Sequence, residues 1–105
     1  MKTKSIIDFV GNTPLVEVQN ILQKKGVNLL LKLEGNNPGG SVKDRAAYNM
    51  ISEAIKRKNI RKGDTLVEAT SGNTGIALAL MAMVLGVNMV VVVPENYTEE
   101  RIKTM

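Results

Sequence analysis

The 105-residue chain contains no cysteine and no histidine. The first absence excludes disulfides, thiolate nucleophiles and cysteine-ligated zinc or iron–sulfur sites, and it suits a reducing, cytoplasmic setting. The second excludes Ser-His-Asp triads and histidine-ligated metals, so no metal site is expected. Tryptophan is absent too, and Phe9, Tyr48 and Tyr97 are too few and too scattered to form a stacking platform for bases. Long hydrophobic runs are missing. The longest, residues 76–85, has ten residues, where a membrane span needs about 20, so it reads as a buried helix and no membrane partner is expected. The basic opening Met1-Lys2-Thr3-Lys4 is followed by an apolar stretch broken at Asp8 with no small-residue cleavage site, which argues against a secretory signal. Chemistry is left to lysine, carboxylates, hydroxyls, backbone dipoles or a borrowed cofactor.

What is present is ordinary for a folded domain. Hydrophobic residues make up 44% and charged residues 23%, which sets disorder aside, and the length allows at most one domain. The net charge of +4 is uneven: residues 1–64 hold 12 of the 14 Lys/Arg and six of the ten Asp/Glu. Lys56, Arg57, Lys58, Arg61 and Lys62 form the densest cluster. They follow an apolar-periodic run and belong at a helix C-terminus, where the dipole favours cations, so nucleic acid is not the expected partner.

Residues 15–18 and 29–33 read as short extended segments, with a turn or short helix between them that Gly26 ends. Gly35-Asn36-Asn37-Pro38-Gly39-Gly40 is dense in turn formers and reads as a loop. From Ser41 the period becomes 3.6, with Ala46, Ala47, Met50, Ile51, Ala54 and Ile55 on one stripe. Ser41 with Asp44 fits the S-x-x-[DE] capping signature, which makes Ser41 the expected N-cap and puts Lys43 in the first turn. Residues 65–69 read as a strand, 73–85 as a helix stopped by Gly86, and 89–93 as a fully buried strand stopped by Pro94. Strand, helix and strand at this spacing predict a βαβ unit with parallel strands, hence an α/β fold. Thr98 with Glu99 and Glu100 opens a last helix that runs for only about two turns, and strand 89–93 calls for cover on both faces that few helices here supply. The chain is therefore expected to be a truncated piece of a larger fold.

Two loops can carry chemistry. Thr70-Ser71-Gly72-Asn73-Thr74-Gly75 joins the C-terminal end of a parallel strand to a helix N-terminus, the edge at which open parallel sheets bind ligands. A helix start offers unpaired N–H groups and partial positive charge, and small glycines let an anion reach the backbone. The loop is built as a cradle for a carboxylate or phosphate; the plainer alternative is that Ser71 or Asn73 only caps its own helix. Neither a P-loop nor a G-x-G-x-x-G fingerprint is present. The second candidate is Lys43. A cation in a first turn opposes the macrodipole, and dipole and burial together would lower its pKa and free the amine to attack a carbonyl; the alternative is an exposed lysine with its head in water.

Four runs, Gly11-Asn12-Thr13-Pro14-Leu15, Leu33-Glu34-Gly35-Asn36-Asn37-Pro38, Ser41-Val42-Lys43-Asp44-Arg45 and Glu68-Ala69-Thr70-Ser71-Gly72-Asn73-Thr74-Gly75, closely resemble the N-terminal third of the cysteine synthase (O-acetylserine sulfhydrylase) family. The Glu-Gly-Asn-Asn-Pro wording is nearer its B-type than its A-type. The resemblance covers essentially the whole chain and implies a partial tryptophan synthase β-like fold, pyridoxal-phosphate fold type II. In it residues 1–35 would join a large domain and residues 36–105 would form part of the N-terminal α/β domain. The implied cofactor is pyridoxal 5'-phosphate and the implied reaction is loss of acetate from O-acetyl-L-serine followed by addition of sulfide to give L-cysteine. Lys43 would hold the cofactor covalently and later remove the substrate Cα proton. Asn73 would hydrogen-bond the phenolic oxygen of the cofactor ring, and Thr70, Ser71, Gly72, Asn73 and Thr74 would hold the substrate carboxylate. The family's phosphate-gripping glycine loop and the serine facing the pyridine nitrogen would lie beyond residue 105, so the isolated chain is expected to be inactive. The complete protein would be a homodimer. A serine/threonine dehydratase, a cystathionine β-synthase, or a non-catalytic remnant that kept the motifs are the competing readings.

Overall fold

The β-prone segments near the start of the chain pair with each other. In the computed structural model, which describes residues 4–21, 25–70, 72–96 and 99–104, β1 (Leu15–Val18) and β2 (Leu29–Lys32) form an antiparallel ladder with Leu15 opposite Lys32 and Val18 opposite Leu29. The turn between them carries Asn20 at φ 68° and Gly26 at φ 80°, and no helix forms there among the described residues; residues 22–24 of the helix considered for this stretch lie outside them. Two short 3-10 turns, Ile6–Phe9 and Glu34–Asn36, were not read from the pattern. The second falls in the loop-forming Gly/Asn/Pro run, where its three residues make a single turn and not a helix.

The second half follows the predicted order. α1 (Lys43–Lys56), β3 (Thr65–Ala69), α2 (Asn73–Leu85) and β4 (Asn88–Val92) appear in turn, and β3 pairs with β4 in parallel from Thr65 opposite Asn88 to Ala69 opposite Val92. Gly86 ends α2 at φ 80° and its N–H returns to Ala82 O, the left-handed terminus that glycine supplies without a Cβ penalty. The strands are fixed at their entry as well: Gly63 N–H donates to Gly86 O at 2.9 Å and Asn88 N–H to Asp64 O at 2.8 Å. α3 (Glu99–Thr104) closes the described chain, and its expected cap Thr98 lies outside the described residues.

The core lies where α1 crosses α2. Ala47 and Ile51 from α1 meet Ala77, Leu78, Met81 and Ala82 from α2, with Val87 beneath. Small alanines on both helices let the backbones approach, and Met81 fills the centre with no exposure. Only part of the predicted stripe is buried, because Ala46 is exposed and Met50 is half exposed at the mouth of an apolar cavity.

β4 departs from its expected burial. Val90 and Val92 are 48% and 53% exposed, because a two-stranded sheet with helices on one side leaves its other face bare. The whole chain is similarly open. Its surface is 7901 Å², where a compact monomer of this mass has about 5800 Å²; its radius of gyration is 17.1 Å, where about 13 Å is usual.

Candidate active site

The start of α1 differs from the capping box predicted for it. Val42 occupies the N-cap position and has no side-chain cap bond. Ser41 Oγ accepts from Lys43 N–H at 3.2 Å, while the Asp44 N–H goes to the Ser41 carbonyl at 3.3 Å. The Asp44 carboxylate turns inward, fully buried, and accepts from the Gly39 N–H in a very short contact. A Cβ at residue 39 would collide with that carboxylate, so a larger residue there would have to displace Asp44. Asp44 thus serves the loop before the helix, and the Ser41–Asp44 box does not form.

Arg45 makes the strongest polar contacts at this end. Its Nε and Nη2 bind the two oxygens of Glu34, each at 2.9 Å, the planar two-point geometry that suits guanidinium to carboxylate. Thr13 Oγ1 and Asn37 Nδ2 donate to the same carboxylate at 2.8 Å each. Arg45 Nη2 also reaches Thr13 Oγ1 at 3.2 Å, and Gly11 N–H donates to Asn37 Oδ1 at 2.7 Å. Gly11 sits at φ 80°, and a Cβ on it would lie 2.9 Å from Arg45 Nη1. The hydrogen bonds from Arg45, followed by those from Thr13 and Asn37, hold the Glu34 carboxyl down at about 2, and the Arg45 guanidinium is raised in return by Glu34. Three sequence motifs separated by up to 32 residues are therefore one connected network. In the sequence Thr13, Glu34, Asn37 and Arg45 stand only as members of three separate motifs, and four polar residues clustered in three short runs are the signal that could have found the network.

Lys43 is the first residue of α1 and is exposed, the plainer of the two readings offered for it. Among the described residues its amine takes part in no hydrogen bond or ion pair.

The second loop has a different character. Thr70 follows β3, and its N–H continues the ladder to Val92 O at 3.2 Å. Gly72 takes φ 107° and ψ −130° as the N-cap of α2, and no side-chain cap bond is made there. Asn73 and Thr74 form the first turn, and Ser71 lies outside the described residues. Of the plainer alternative, a cap by Ser71 or Asn73, the described residues show no side-chain cap bond from Asn73, and Ser71 lies outside them. Thr70 borders an open hollow of about 430 Å³ with Ala69, Val92, Val93 and Pro94, at the C-terminal edge of the parallel strands. Thr74 instead borders an apolar cavity of about 260 Å³ with Met50, Ile51, Leu66, Leu78 and Met89. Lys43 lines neither. Thr70, Gly72, Asn73 and Thr74 are thus adjacent around one turn, and Lys43 stands at the head of the other helix.

An uncapped helix start beside hydroxyls binds an anion well, and an unengaged primary amine is the side chain that condenses with an aldehyde. This donor set fits pyridoxal phosphate with an amino-acid carboxylate. Among the described residues no cluster of acidic side chains could hold a metal ion, and no helix is long and apolar enough to cross a membrane.

Comparison with known proteins agrees. The chain is 58% identical over 97 residues to cysteine synthase B of Pseudomonas aeruginosa, covering 92% of this chain and 32% of that protein. It is 45% identical over 101 residues to cystathionine beta-synthase of Dictyostelium discoideum, covering 96% of this chain and 20% of that one. A crystal structure of O-acetylserine sulfhydrylase isoform 3 from Entamoeba histolytica superposes with a TM-score of 0.92 at 39% identity, over 99% of this chain and 32% of that one. The α/β arrangement with its parallel β3–β4 pair is that of fold type II. This chain spans about a third of the length of the cysteine synthase B it matches. Residues 6–105 match the family model described as pyridoxal-phosphate dependent enzyme, and the chain belongs to that family.

Proposed function

We propose that the protein is a cysteine synthase, which releases acetate from O-acetyl-L-serine and adds sulfide to form L-cysteine, with this chain supplying the lysine and the carboxylate cradle. The observation that carries the reading is the α2 start on Gly72, which has no side-chain cap among the described residues, at the C-terminal edge of a parallel pair, in a chain whose other helix begins with a Lys43 whose amine has no hydrogen bond or ion pair among them. The nucleophile is assigned to sulfide because identity to cysteine synthase B exceeds identity to cystathionine beta-synthase, 58% against 45%.

In this reading Lys43 binds the cofactor through its amine and afterwards moves the proton at the substrate Cα. Thr70, Ser71, Gly72, Asn73 and Thr74 hold the substrate carboxylate, with the α2 dipole favouring its negative charge by about 0.3–1 kcal/mol. Asn73 would donate a hydrogen bond to the cofactor when it is bound. The bound cofactor supplies an electron sink for the carbanion character that develops at Cα. Residues 1–35 belong with a large domain and 36–105 with the smaller α/β domain. The whole protein is a cytoplasmic homodimer. Because the chain spans about a third of cysteine synthase B, the 105 residues alone are expected to turn over O-acetyl-L-serine and sulfide far more slowly than that enzyme.

The test is to incubate the chain with pyridoxal phosphate, reduce with borohydride and map the label. Label concentrated on Lys43, among ten lysines, supports the reading. Absence of label, or label scattered evenly over the lysines, overturns it in favour of a remnant without the site.

A further inference from the structure

We infer that Arg45, gripped by Glu34 within the Thr13–Asn37 network, is a positioning residue that fixes the first turn of α1 and through it the amine of Lys43. The inference rests on the pyridoxal-phosphate reading of Lys43 and goes beyond it, because none of the four network residues is assigned a part in binding or chemistry.

The first turn of a helix has amides without intrahelical partners and frays unless something ties it down. α1 has no side-chain cap at Val42, and its opening bonds are the weaker i to i−3 kind, Asp44 N–H to Ser41 O and Arg45 N–H to Val42 O. Its anchorage therefore comes from outside the helix, from the Ser41 Oγ that accepts the Lys43 N–H at 3.2 Å and from two further contacts. On the inner side the Asp44 carboxylate holds the Gly39 amide. On the outer side Arg45 reaches across 11 residues to Glu34 and across 32 to Thr13. Exposed ion pairs contribute little on their own, but a two-point guanidinium–carboxylate contact whose carboxylate also accepts Thr13 and Asn37 is an ordered network. Residues two apart on a helix point in different directions, so Arg45 acts on Lys43 through the backbone that both share. A loosened turn spreads the amine over more positions and lowers its effective concentration at any fixed aldehyde.

The experiment measures site selectivity in the full 105-residue chain: the borohydride-trapped label on Lys43 relative to the mean of the nine other native lysines, with any label at position 45 of Arg45→Lys resolved from Lys43 by fragmentation and left out of the ratio. Each variant is measured well below its own thermal midpoint and checked by far-ultraviolet circular dichroism. Arg45→Lys keeps the charge but loses the two-point fork; Thr13→Val removes one donor and one acceptor; Thr13→Ser restores both. The selectivity for Lys43 is expected to fall about tenfold in Arg45→Lys and in Thr13→Val, and to recover in Thr13→Ser. A network that only stabilises the fold would lower the midpoint and leave selectivity intact, and that outcome overturns the inference. Glu34→Gln, which keeps the shape and loses the charge, is the second variant should Arg45→Lys fail to fold; unchanged selectivity there also overturns it. Even labelling already in the unmodified chain would instead sink the underlying reading of Lys43, so the two failures are told apart.

Discussion

The heads of the two helices are built on opposite principles. At α1 the Glu34 carboxylate is engaged, receiving Arg45, Thr13 and Asn37 together, while the buried Asp44 carboxylate accepts the Gly39 amide through one oxygen and has no partner for the other among the described residues. At α2 the helix begins on Gly72 with no side-chain cap, beside Thr70 and Thr74. A satisfied network fixes geometry and has little left to offer a ligand, whereas unspent donors at a helix start gain most when an anion arrives. The first region is suited to aiming a side chain and the second to receiving a charge.

The largest effect that tests this contrast comes from Lys43→Ala. It should abolish the excess label on its peptide. Lys43 is exposed and its amine has no partner among the described residues, so unfolding free energy should stay within about 0.5 kcal/mol of the unmodified chain in urea titrations. A large loss of stability would mean that the amine is part of the α1 anchorage after all.

Gly72→Ala acts at the other head. At φ 107° and ψ −130° any other residue is strained, and the cost should be about 1–3 kcal/mol. The informative readout is the concentration of O-acetyl-L-serine that protects Lys43 from borohydride trapping. It should rise about tenfold, the equivalent of one charge-assisted hydrogen bond, while selectivity for Lys43 in the absence of substrate remains. Network variants are expected to do the reverse. If both kinds of substitution moved both readouts together, the division of labour would be wrong.

That division was only half legible in sequence. The residues 70–75 turn could be placed because a period-2 run, a glycine and an apolar helical run mark a strand, a turn and a helix without reference to distant residues; β3 and α2 have the bounds read for them. The network could not be placed in the same way, since its bonds join positions 11, 13, 34, 37 and 45, and local pattern carries no information about which loops meet. Where local and non-local demands compete, the local reading failed. Asp44 fits a capping box by spacing, yet its carboxylate is drawn to the Gly39 amide. β4 reads as doubly buried because valines are consecutive, and its exposure reflects how few layers pack on it.

Acid sharpens the contrast further, because the network holds the perturbed carboxyl. Glu34 lies at about 2 where 4.5 is ordinary. A folded-state value below the unfolded one means that its contribution is present in full above about 4.5 and disappears as pH falls towards about 2. The rise of Arg45 comes from the same pair and disappears with the Glu34 charge, so it is not a separate contribution in this window. Urea midpoints should therefore decline between pH 5 and 2 more steeply for the unmodified chain than for Glu34→Gln, and equal slopes would show that the carboxylate is not engaged in solution. Selectivity for Lys43 cannot serve here, since amine condensation is itself suppressed in acid.

The smallest effect distinguishes two accounts of the α1 start. A capping box would make Ser41 and Asp44 reciprocal partners, so that removing either side chain costs about 1 kcal/mol and removing both costs little more. In the structure they serve different amides, Ser41 that of Lys43 at 3.2 Å and Asp44 that of Gly39. Ser41→Ala should then cost about 0.5 kcal/mol, the low end for a cap at an exposed site, and Asp44→Ala more, because it leaves the Gly39 N–H without its acceptor. The double variant should equal the sum of the two to within about 0.5 kcal/mol. A coupling as large as the Ser41 effect itself would restore the box, and with it a first turn of α1 that holds itself without help from Arg45.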